Sequence, residues 1–312
     1  MKALRARLAE GILAFPATPF DRSGALDRTA FEHHIADLAR FNPTALVPAG
    51  GAGELFSLSL DEQAETVRIA VAGAGKVPVL AGVGQGVAIA VAMAQAAEKA
   101  GAAGILLFPP YLVVPEQEGL AAYIEAVARS VGIAVIVYSR NNGVLSTDTV
   151  LRLAESCPNL VAVKDGVGDF ESLVGLKLAA GDRLAVINGV PTAEIIGAQC
   201  FAVGIRSYTS AVFSFLPELA TRYFEALKDG DRATVERLLA EFYLPLVRIR
   251  NRRRGYAVSL VKAGLRLTGH DAGRVRPPLV DLAPADEAEL AALIARAAGL
   301  IEEAPIGAVA IR

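Results

Sequence analysis

The 312-residue chain carries 31 Lys and Arg against 33 Asp and Glu, and its net charge of −2 argues against nucleic acid as the main partner. Hydrophobic residues make up 53% of the chain and the mean hydropathy is +0.42, yet no apolar run reaches the roughly 18–20 residues of a membrane-spanning helix. Two cysteines give no disulfide framework, which is typical of a cytoplasmic protein, and three scattered histidines predict no metal site.

Eight short apolar runs, each closed by Gly, Pro or a charge, predict β-strands that are buried on both faces. Residues 1–10 lack an apolar core of signal-peptide length and lead straight into the first strand. The predicted strands cover residues 11–16, 44–48, 77–83, 104–108, 133–138, 160–163, 183–187 and 201–205. Helical patterns separate them, so the sequence predicts a (β/α)8 TIM barrel, with a doubly wound open sheet as the alternative.

The strand pattern stops after Pro217, and the rest of the chain has helical periodicity. The four helical patterns cover residues 218–228, 232–246, 255–267 and 286–298. Asp229-Gly230-Asp231 breaks the pattern and marks a boundary. We therefore predict a catalytic barrel over residues 1–228, a C-terminal helical region over 229–303 and a loosely attached tail over 304–312.

Two side chains with chemical use stand at the ends of neighbouring predicted strands, Tyr138 on the fifth and Lys164 on the sixth. A TIM barrel carries its active site at these strand ends. An amine in an apolar barrel has a lowered pKa and becomes nucleophilic toward a carbonyl, while a nearby phenol can transfer the protons of imine formation. Taken alone, Lys164 is also explained by a salt bridge at a strand end, and Tyr138 by half-buried packing.

The glycine-rich stretch Gly50-Gly51-Ala52-Gly53-Glu54 follows the second predicted strand. Its backbone N–H groups can converge on an anion such as a carboxylate, although a tight strand-to-helix turn explains the composition equally well. Together with Lys164 and Tyr138, this stretch predicts Schiff-base chemistry on a 2-oxo acid. The basic run at residues 248–254 is better explained by a solvated or intersubunit helix face than by an anion site.

At these residues the sequence resembles the dihydrodipicolinate synthase/N-acetylneuraminate lyase family of Schiff-base lyases. The Gly50–Glu54 stretch resembles the family's carboxylate-binding loop, Tyr138 its proton-relay tyrosine and Lys164 its imine lysine. The likeness runs from Gly11 to about Ala298 and is strongest to the branch that acts on 5-dehydro-4-deoxy-D-glucarate. The stretches that carry it are residues 50–58, 78–84, 104–112, 163–169, 191–194 and 250–259.

The resemblance implies a lyase of glucarate and galactarate catabolism that dehydrates and decarboxylates this sugar acid to 2,5-dioxopentanoate. It implies no cofactor beyond the imine on Lys164, no metal, and a homotetramer built from dimers. The implied substrate-binding residues are Gly50, Gly51, Ala52, Gly53, Arg206, Ser207 and Thr209. Two alternatives stay open: an aldolase or synthase that joins pyruvate to an aldehyde, and a barrel that binds a metabolite without turnover.

Five positions depart from the pattern of that branch. A threonine is usual at Ala52, an asparagine at Ser139 and Ser214, a glycine at Asn188, and a small or apolar residue at Arg206. Arg206 either grips a second carboxylate or is neutralised by an acid outside the site, and both interpretations fit the sequence. The departures leave the imine chemistry intact and bear on the substrate.

Overall fold

Eight parallel strands form the centre of the computed structural model, which describes residues 1–302. The strands are β1 (Glu10–Ala14), β2 (Ala45–Leu46), β3 (Leu80–Val83), β4 (Gly104–Leu107), β5 (Ala134–Ser139), β6 (Leu160–Asp165), β7 (Ala185–Asn188) and β8 (Arg206–Ser210). Their order is β2-β1-β8-β7-β6-β5-β4-β3, and a parallel bridge between Leu46 and Val79 joins the two ends. The predicted (β/α)8 barrel is confirmed.

Helices surround this barrel because the strands also carry apolar residues on their outer face, and these residues are buried against the helices. In chain order they are α1 (Lys2–Leu8), α2 (Arg28–Arg40), α3 (Leu60–Gly73), α4 (Val87–Lys99), α5 (Gln117–Arg129), α6 (Thr147–Ser156), α7 (Phe170–Ala180), α8 (Gly197–Ala202) and α9 (Pro217–Asp229). Short 3₁₀ helices lie at Leu55–Ser57, Ala193–Ile196 and Val212–Ser214.

Helix α1 was not predicted from the sequence, which was expected to enter the first strand directly. The helix packs Leu8, and in part Leu4, against the residues that fill the barrel interior. Because it precedes β1, it closes the barrel at the N-terminal ends of the strands. Its apolar face consists of only these two leucines at i and i+4, which is too short a pattern to distinguish from a loop.

The predicted eighth strand was wrong. Residues 201–202 end α8, Gly204 follows with a φ of 80°, and the strand runs from Arg206 to Ser210. The real strand is polar because two of its side chains, Ser207 and Thr209, lie on the inner face of the barrel. The apolar run at 201–205 instead forms the end of α8 and the loop after it, and it packs outside the sheet.

The predicted C-terminal helices are confirmed. They are α10 (Arg232–Leu238), a π-helical turn (Leu239–Tyr243), α11 (Leu244–Arg250), α12 (Tyr256–Leu267) and α13 (Pro284–Glu302). Side chains of α9 to α13 share one buried cluster with residues of β1 and β8. The domain boundary at residue 229 stays a prediction, and the predicted tail at 304–312 lies outside the described residues.

Within residues 1–302, no helix is long and apolar enough to cross a membrane. The two cysteines, Cys157 and Cys200, are buried and free.

Candidate active site

Strand register places Lys164 and Tyr138 side by side. Tyr138 on β5 pairs with Lys164 on β6, Lys164 pairs with Ile187 on β7, and Ile187 pairs with Ser207 on β8. Paired residues of adjacent parallel strands point to the same face of the sheet. Because Tyr138 and Ile187 belong to the cluster that fills the barrel, the whole row faces inward.

The Lys164 side chain is only 4% exposed, and it forms no ion pair with any described residue. Its Nζ donates a hydrogen bond to the Gly189 carbonyl at 3.2 Å and lies 3.2 Å from the centroid of the Tyr138 ring. Burial lowers the pKa of the ammonium well below its usual value, and the positive charge of Arg140 lowers it further. The salt-bridge explanation of Lys164 is therefore unsupported, and the amine is disposed to be neutral and nucleophilic.

The Tyr138 hydroxyl has two hydrogen-bond partners, the Gly189 carbonyl that also binds Lys164 and the Arg140 guanidinium. It donates to the Gly189 carbonyl at 3.2 Å and accepts from Arg140 Nη1 at 2.9 Å. Burial raises the pKa of the phenol, whereas the charge of Arg140 opposes that rise. Tyr138 is thus a neutral proton donor whose phenolate, once formed, has a cation beside it.

Arg140 was missed by the sequence analysis. The signal was present, since a cation stands two residues after Tyr138, just beyond the end of β5. Because Arg140 lies in the loop after β5, the rule that places reactive groups at strand ends does not select it.

Two glycines make room for these side chains. A Cβ on Gly189 would lie 2.4 Å from Lys164 Cγ, and a Cβ on Gly166 would lie 2.5 Å from the Tyr138 ring. Both distances are too short for real contacts, so any larger residue would displace the lysine or the tyrosine. Glycine at these two positions is therefore a requirement of the site.

The Gly50–Glu54 loop and Lys164 both lie close to the Phe15 ring. The Lys164 Nζ is 5.5 Å from the centroid of that ring, and a Cβ on Gly50 would lie 2.6 Å from the ring's edge. Ala52 packs against the barrel-interior cluster. Among the described residues, the N–H groups of Gly51, Ala52 and Gly53 donate no hydrogen bond, so they are free to bind an anion.

The C-terminal helices hold this loop in place through Glu54. The Glu54 carboxylate pairs with Lys262 of α12 at 2.8 Å, and both side chains are fully buried. Its second oxygen accepts the backbone N–H of Arg276 at 3.0 Å. Glu54 is therefore an anchor of the loop and does not face a substrate as a free carboxylate.

Strained backbone is concentrated at this end of the barrel. Non-glycine residues with positive φ occur in the loops that follow β2, β3, β4, β5 and β7, and in the described chain only Asn42 falls elsewhere. These residues are Ala49, Glu54, Gln85, Leu112, Asn141 and Thr192. Such strain is characteristic of functional sites, where the surrounding structure maintains it.

The predicted placement of Arg206 was wrong. Arg206 begins β8, so it lies at the end of the barrel opposite the site, and its side chain pairs with Glu10 at 2.8 Å. The second interpretation, an arginine neutralised by an acid outside the site, is the one that the structure shows. Ser207 and Thr209 face inward, and Ser207 is fully buried with no hydrogen-bond partner for its hydroxyl among the described residues.

Three of the unusual residues stabilise loops instead of facing the barrel mouth. The Ser139 hydroxyl accepts from the Leu145 N–H at 3.0 Å, the Asn188 amide donates to the Ala193 carbonyl at 2.9 Å, and the Ser214 hydroxyl donates to the Phe15 carbonyl at 2.6 Å. Each therefore bonds to backbone. Ala52, by contrast, lies between Gly51 and Gly53, and the N–H groups of these three residues donate no hydrogen bond among the described residues.

A buried carboxyl lies outside the barrel wall, behind β7 and β8. Glu194 is fully buried, its Oε1 accepts from the Ser210 hydroxyl at 2.5 Å, and Oε2 has no hydrogen-bond partner among the described residues. Its backbone carbonyl accepts from the Tyr223 hydroxyl at 2.6 Å. Burial raises the pKa of the Glu194 carboxyl to about 7.

No three His, Cys, Asp or Glu side chains in the described part of the chain are grouped so that they could hold a metal ion.

Comparison with known proteins agrees with this architecture. The model of the dihydrodipicolinate synthetase family matches residues 8–297. A relative from Rhizobium rhizogenes, named probable 5-dehydro-4-deoxyglucarate dehydratase, is 48% identical over 291 residues, covering 93% of this chain and 96% of the relative. The 5-dehydro-4-deoxyglucarate dehydratase of Pseudomonas putida is 46% identical over 292 residues, covering 93% of this chain and 96% of that protein.

Solved structures share the fold. Dihydrodipicolinate synthase from Bacillus clausii superimposes with a TM-score of 0.87 at 26% identity, covering 95% of this chain and 99% of that one. The enzyme from Cyanidioschyzon merolae, solved with lysine bound, superimposes with a TM-score of 0.85 at 27% identity, covering 94% and 99%. The chain belongs to the dihydrodipicolinate synthetase family.

Proposed function

We propose that this protein is a Schiff-base lyase that dehydrates and decarboxylates 5-dehydro-4-deoxy-D-glucarate, giving 2,5-dioxopentanoate, water and CO2. The observation that carries the proposal is the Lys164 amine, buried without an acidic partner and stacked on the Tyr138 ring. The substrate is inferred from the names of the relatives that match over most of the chain.

The first step is imine formation. The neutral Lys164 amine attacks the ketone next to the proximal carboxylate, which the free N–H groups of Gly51, Ala52 and Gly53 hold. Tyr138 then donates its proton to the departing hydroxyl of the carbinolamine, and the resulting phenolate is stabilised by Arg140.

The iminium then serves as the electron sink for both eliminations. It acidifies the neighbouring CH2, so the Tyr138 phenolate can take that proton, and hydroxide leaves from the next carbon with a proton returned by Tyr138. The C–C bond to the distal carboxylate now lies in conjugation with the iminium. Its electron pair moves into the conjugated system as CO2 departs, which leaves a dienamine with an enol hydroxyl at its far end. The carbon next to the imine then takes a proton from solvent and the enol tautomerises to the aldehyde. Water hydrolyses the imine to release 2,5-dioxopentanoate and Lys164. No cofactor besides the lysine is needed in this scheme.

Ala52 removes one hydroxyl donor from the carboxylate site. The lost hydrogen bond should weaken binding by about 1 kcal/mol, which is a few-fold in affinity. We therefore expect Ala52→Thr to lower the KM for the sugar acid several-fold, and an unchanged or raised KM would contradict the proposed position of the carboxylate.

Borohydride trapping tests the mechanism. The protein is incubated with the sugar acid and borohydride, and its peptides are mapped by mass spectrometry. We expect one reduced adduct, on Lys164. We also expect Lys164→Ala to abolish trapping and to lower turnover by at least about a thousandfold. Lys99→Ala, which replaces an exposed lysine at the end of α4, is the matched control and should behave as wild type. An adduct on any other lysine refutes the proposal.

The alternative is an aldolase or synthase that acts on pyruvate. The fold that this chain shares with dihydrodipicolinate synthase supports this alternative. The two functions are separated by measuring CO2 with the product. Release of CO2 from the sugar acid supports the dehydratase, whereas trapping of pyruvate on Lys164 with no CO2 from the sugar acid supports the aldolase. A barrel that only binds its ligand would show binding that Lys164→Ala leaves unchanged, and no turnover.

We also propose that the enzyme is a cytoplasmic homotetramer built from dimers. An exposed apolar stretch in the loop after β4 supports self-association, since Tyr111, Leu112, Val113 and Val114 are 61–82% exposed. Light scattering during gel filtration should give four times the chain mass. Leu112→Asp should shift the mass toward smaller species, and a monomeric wild-type protein at micromolar concentration would refute the assembly.

A further inference from the structure

One arginine of the basic run turns back toward the barrel mouth. Arg250, the last residue of α11, donates from Nη1 to the Thr192 hydroxyl and from Nε to the Asn251 side chain at 3.1 Å. Thr192 lies in the loop that begins at Gly189, the residue whose carbonyl accepts from both Lys164 and Tyr138. Thr192 has a φ of 55°, a strained conformation for a β-branched residue.

Arg140 brings a second guanidinium to the same region. Its Nη1 donates to the Tyr138 hydroxyl at 2.9 Å. Burial is the main cause that lowers the pKa of Lys164 and of Arg250, and the positive charge of Arg140 lowers both further. The two arginines therefore form a cationic mouth at the C-terminal ends of the strands, next to the neutral Lys164 amine.

Neither of these two half-buried arginines forms an ion pair with an acid of the described chain. The Glu194 carboxyl acts on Arg250 at longer range, but it is partly protonated at neutral pH because burial raises its pKa to about 7. The neighbouring Arg252 differs, because it pairs with Asp286 at 2.6 Å and Glu289 at 2.7 Å. Arg248 on α11 is exposed to solvent. Partly buried guanidiniums without an ion pair are costly, and an anionic ligand would relieve that cost.

We propose that Arg250 and Arg140 bind the distal carboxylate of the substrate, the group that leaves as CO2. The assignment rests on the proposed function, which supplies a substrate with carboxylates at both ends. The proximal carboxylate lies at the Gly50–Glu54 loop, the ketone carbon at Lys164, and the far end of the chain at the two guanidiniums. The arginines thereby select a dicarboxylate over a 2-oxo acid with one carboxylate.

The attraction acts on binding more than on the chemical step. A carboxylate that departs as neutral CO2 loses its charge, so the guanidiniums do not stabilise the later transition state more than the bound substrate. Loss of Arg250 should therefore raise KM and leave kcat less affected.

The test compares two 2-oxo acids of equal length, 2-oxoadipate with a distal carboxylate and 2-oxohexanoate with a methyl group. Borohydride trapping on Lys164 is measured against concentration for wild type, Arg250→Gln and Arg250→Lys. Arg248→Gln, on the same helix, is the matched control. Thermal unfolding of each variant checks that the fold is intact.

In Arg250→Gln the concentration of 2-oxoadipate for half-maximal trapping should rise about 10- to 100-fold, as expected for loss of a charged hydrogen bond. That of 2-oxohexanoate should change by less than about threefold, and Arg250→Lys should recover part of the loss. Equal changes for both acids, or wild-type protein with no preference for 2-oxoadipate, refute the assignment. The proposed function fails on its own if wild-type protein prefers 2-oxoadipate but releases no CO2 from the sugar acid. If neither acid is trapped on Lys164, both the proposed function and the assignment of the two arginines are refuted.

Discussion

Replacement of Glu194 by glutamine should stabilise the protein at neutral and alkaline pH. The carboxyl is fully buried behind β7 and β8, and its pKa is raised from 4.5 to about 7 because burial disfavours the charged form. Between these two values the folded state holds a proton that the unfolded state has lost. Its contribution to stability is therefore complete below about pH 4.5 and is lost as the pH rises through 7. A shift of 2.5 pKa units corresponds to about 3 kcal/mol in the free energy of unfolding.

Glutamine keeps the shape and the acceptor for Ser210 but cannot ionise. Urea unfolding of wild type and Glu194→Gln should be measured from about pH 4.5 to pH 8. Groups other than Glu194 titrate equally in both proteins and cancel in the difference. We expect the variant to gain about 3 kcal/mol relative to wild type across this range, within a factor of two. A difference that is constant with pH would refute the idea that Glu194 is buried as a nearly neutral acid.

Three further changes test other contacts. Gly189→Ala should abolish borohydride trapping, because its Cβ would lie 2.4 Å from Lys164 Cγ; trapping at the wild-type rate would contradict the close packing. Lys262→Met should lower the free energy of unfolding in urea by about 3–5 kcal/mol, because it leaves the Glu54 carboxylate buried without its cation. Adding Glu54→Gln should recover part of that loss. Arg206→Gln should change the free energy of unfolding by less than about 1 kcal/mol and leave turnover unchanged, since the ion pair with Glu10 is exposed. A raised KM would indicate that Arg206 does contact the substrate.

Much of the fold follows from local patterns that a single sequence carries. Seven of the eight short apolar runs overlap a strand of the barrel, and the helical periodicity between runs predicts the crossovers of a parallel barrel. The eighth strand broke this rule because its inner face is polar, with Ser207 and Thr209 toward the barrel. The apolar run before it was the stronger signal, and it belongs to the end of α8 and the following loop.

The position of the candidate nucleophile could also be predicted from the sequence, since a lysine at the end of an apolar strand has few explanations. Its neighbour Tyr138 followed from strand order alone, because consecutive strands of a barrel pair. The partners of the charged side chains could not be predicted in this way. Sequence periodicity indicates that a side chain is buried, but it does not indicate which group that side chain contacts. The sequence predicted that Glu54 belongs to an anion-binding turn, whereas in the structure Glu54 forms an ion pair with Lys262 of α12.

The sequence by itself therefore determined the barrel, the C-terminal helices and the lysine with its tyrosine, because these depend on the period of hydrophobic residues along the chain. Only the tertiary structure decided that Arg206 faces away from the site, that Arg140 contacts the phenol, and that Arg250 returns to the loop after β7. The physical reason is that a charged side chain takes its partner from whatever packing brings near it. For Arg250 that partner lies 58 residues earlier in the chain, on a different element of the fold.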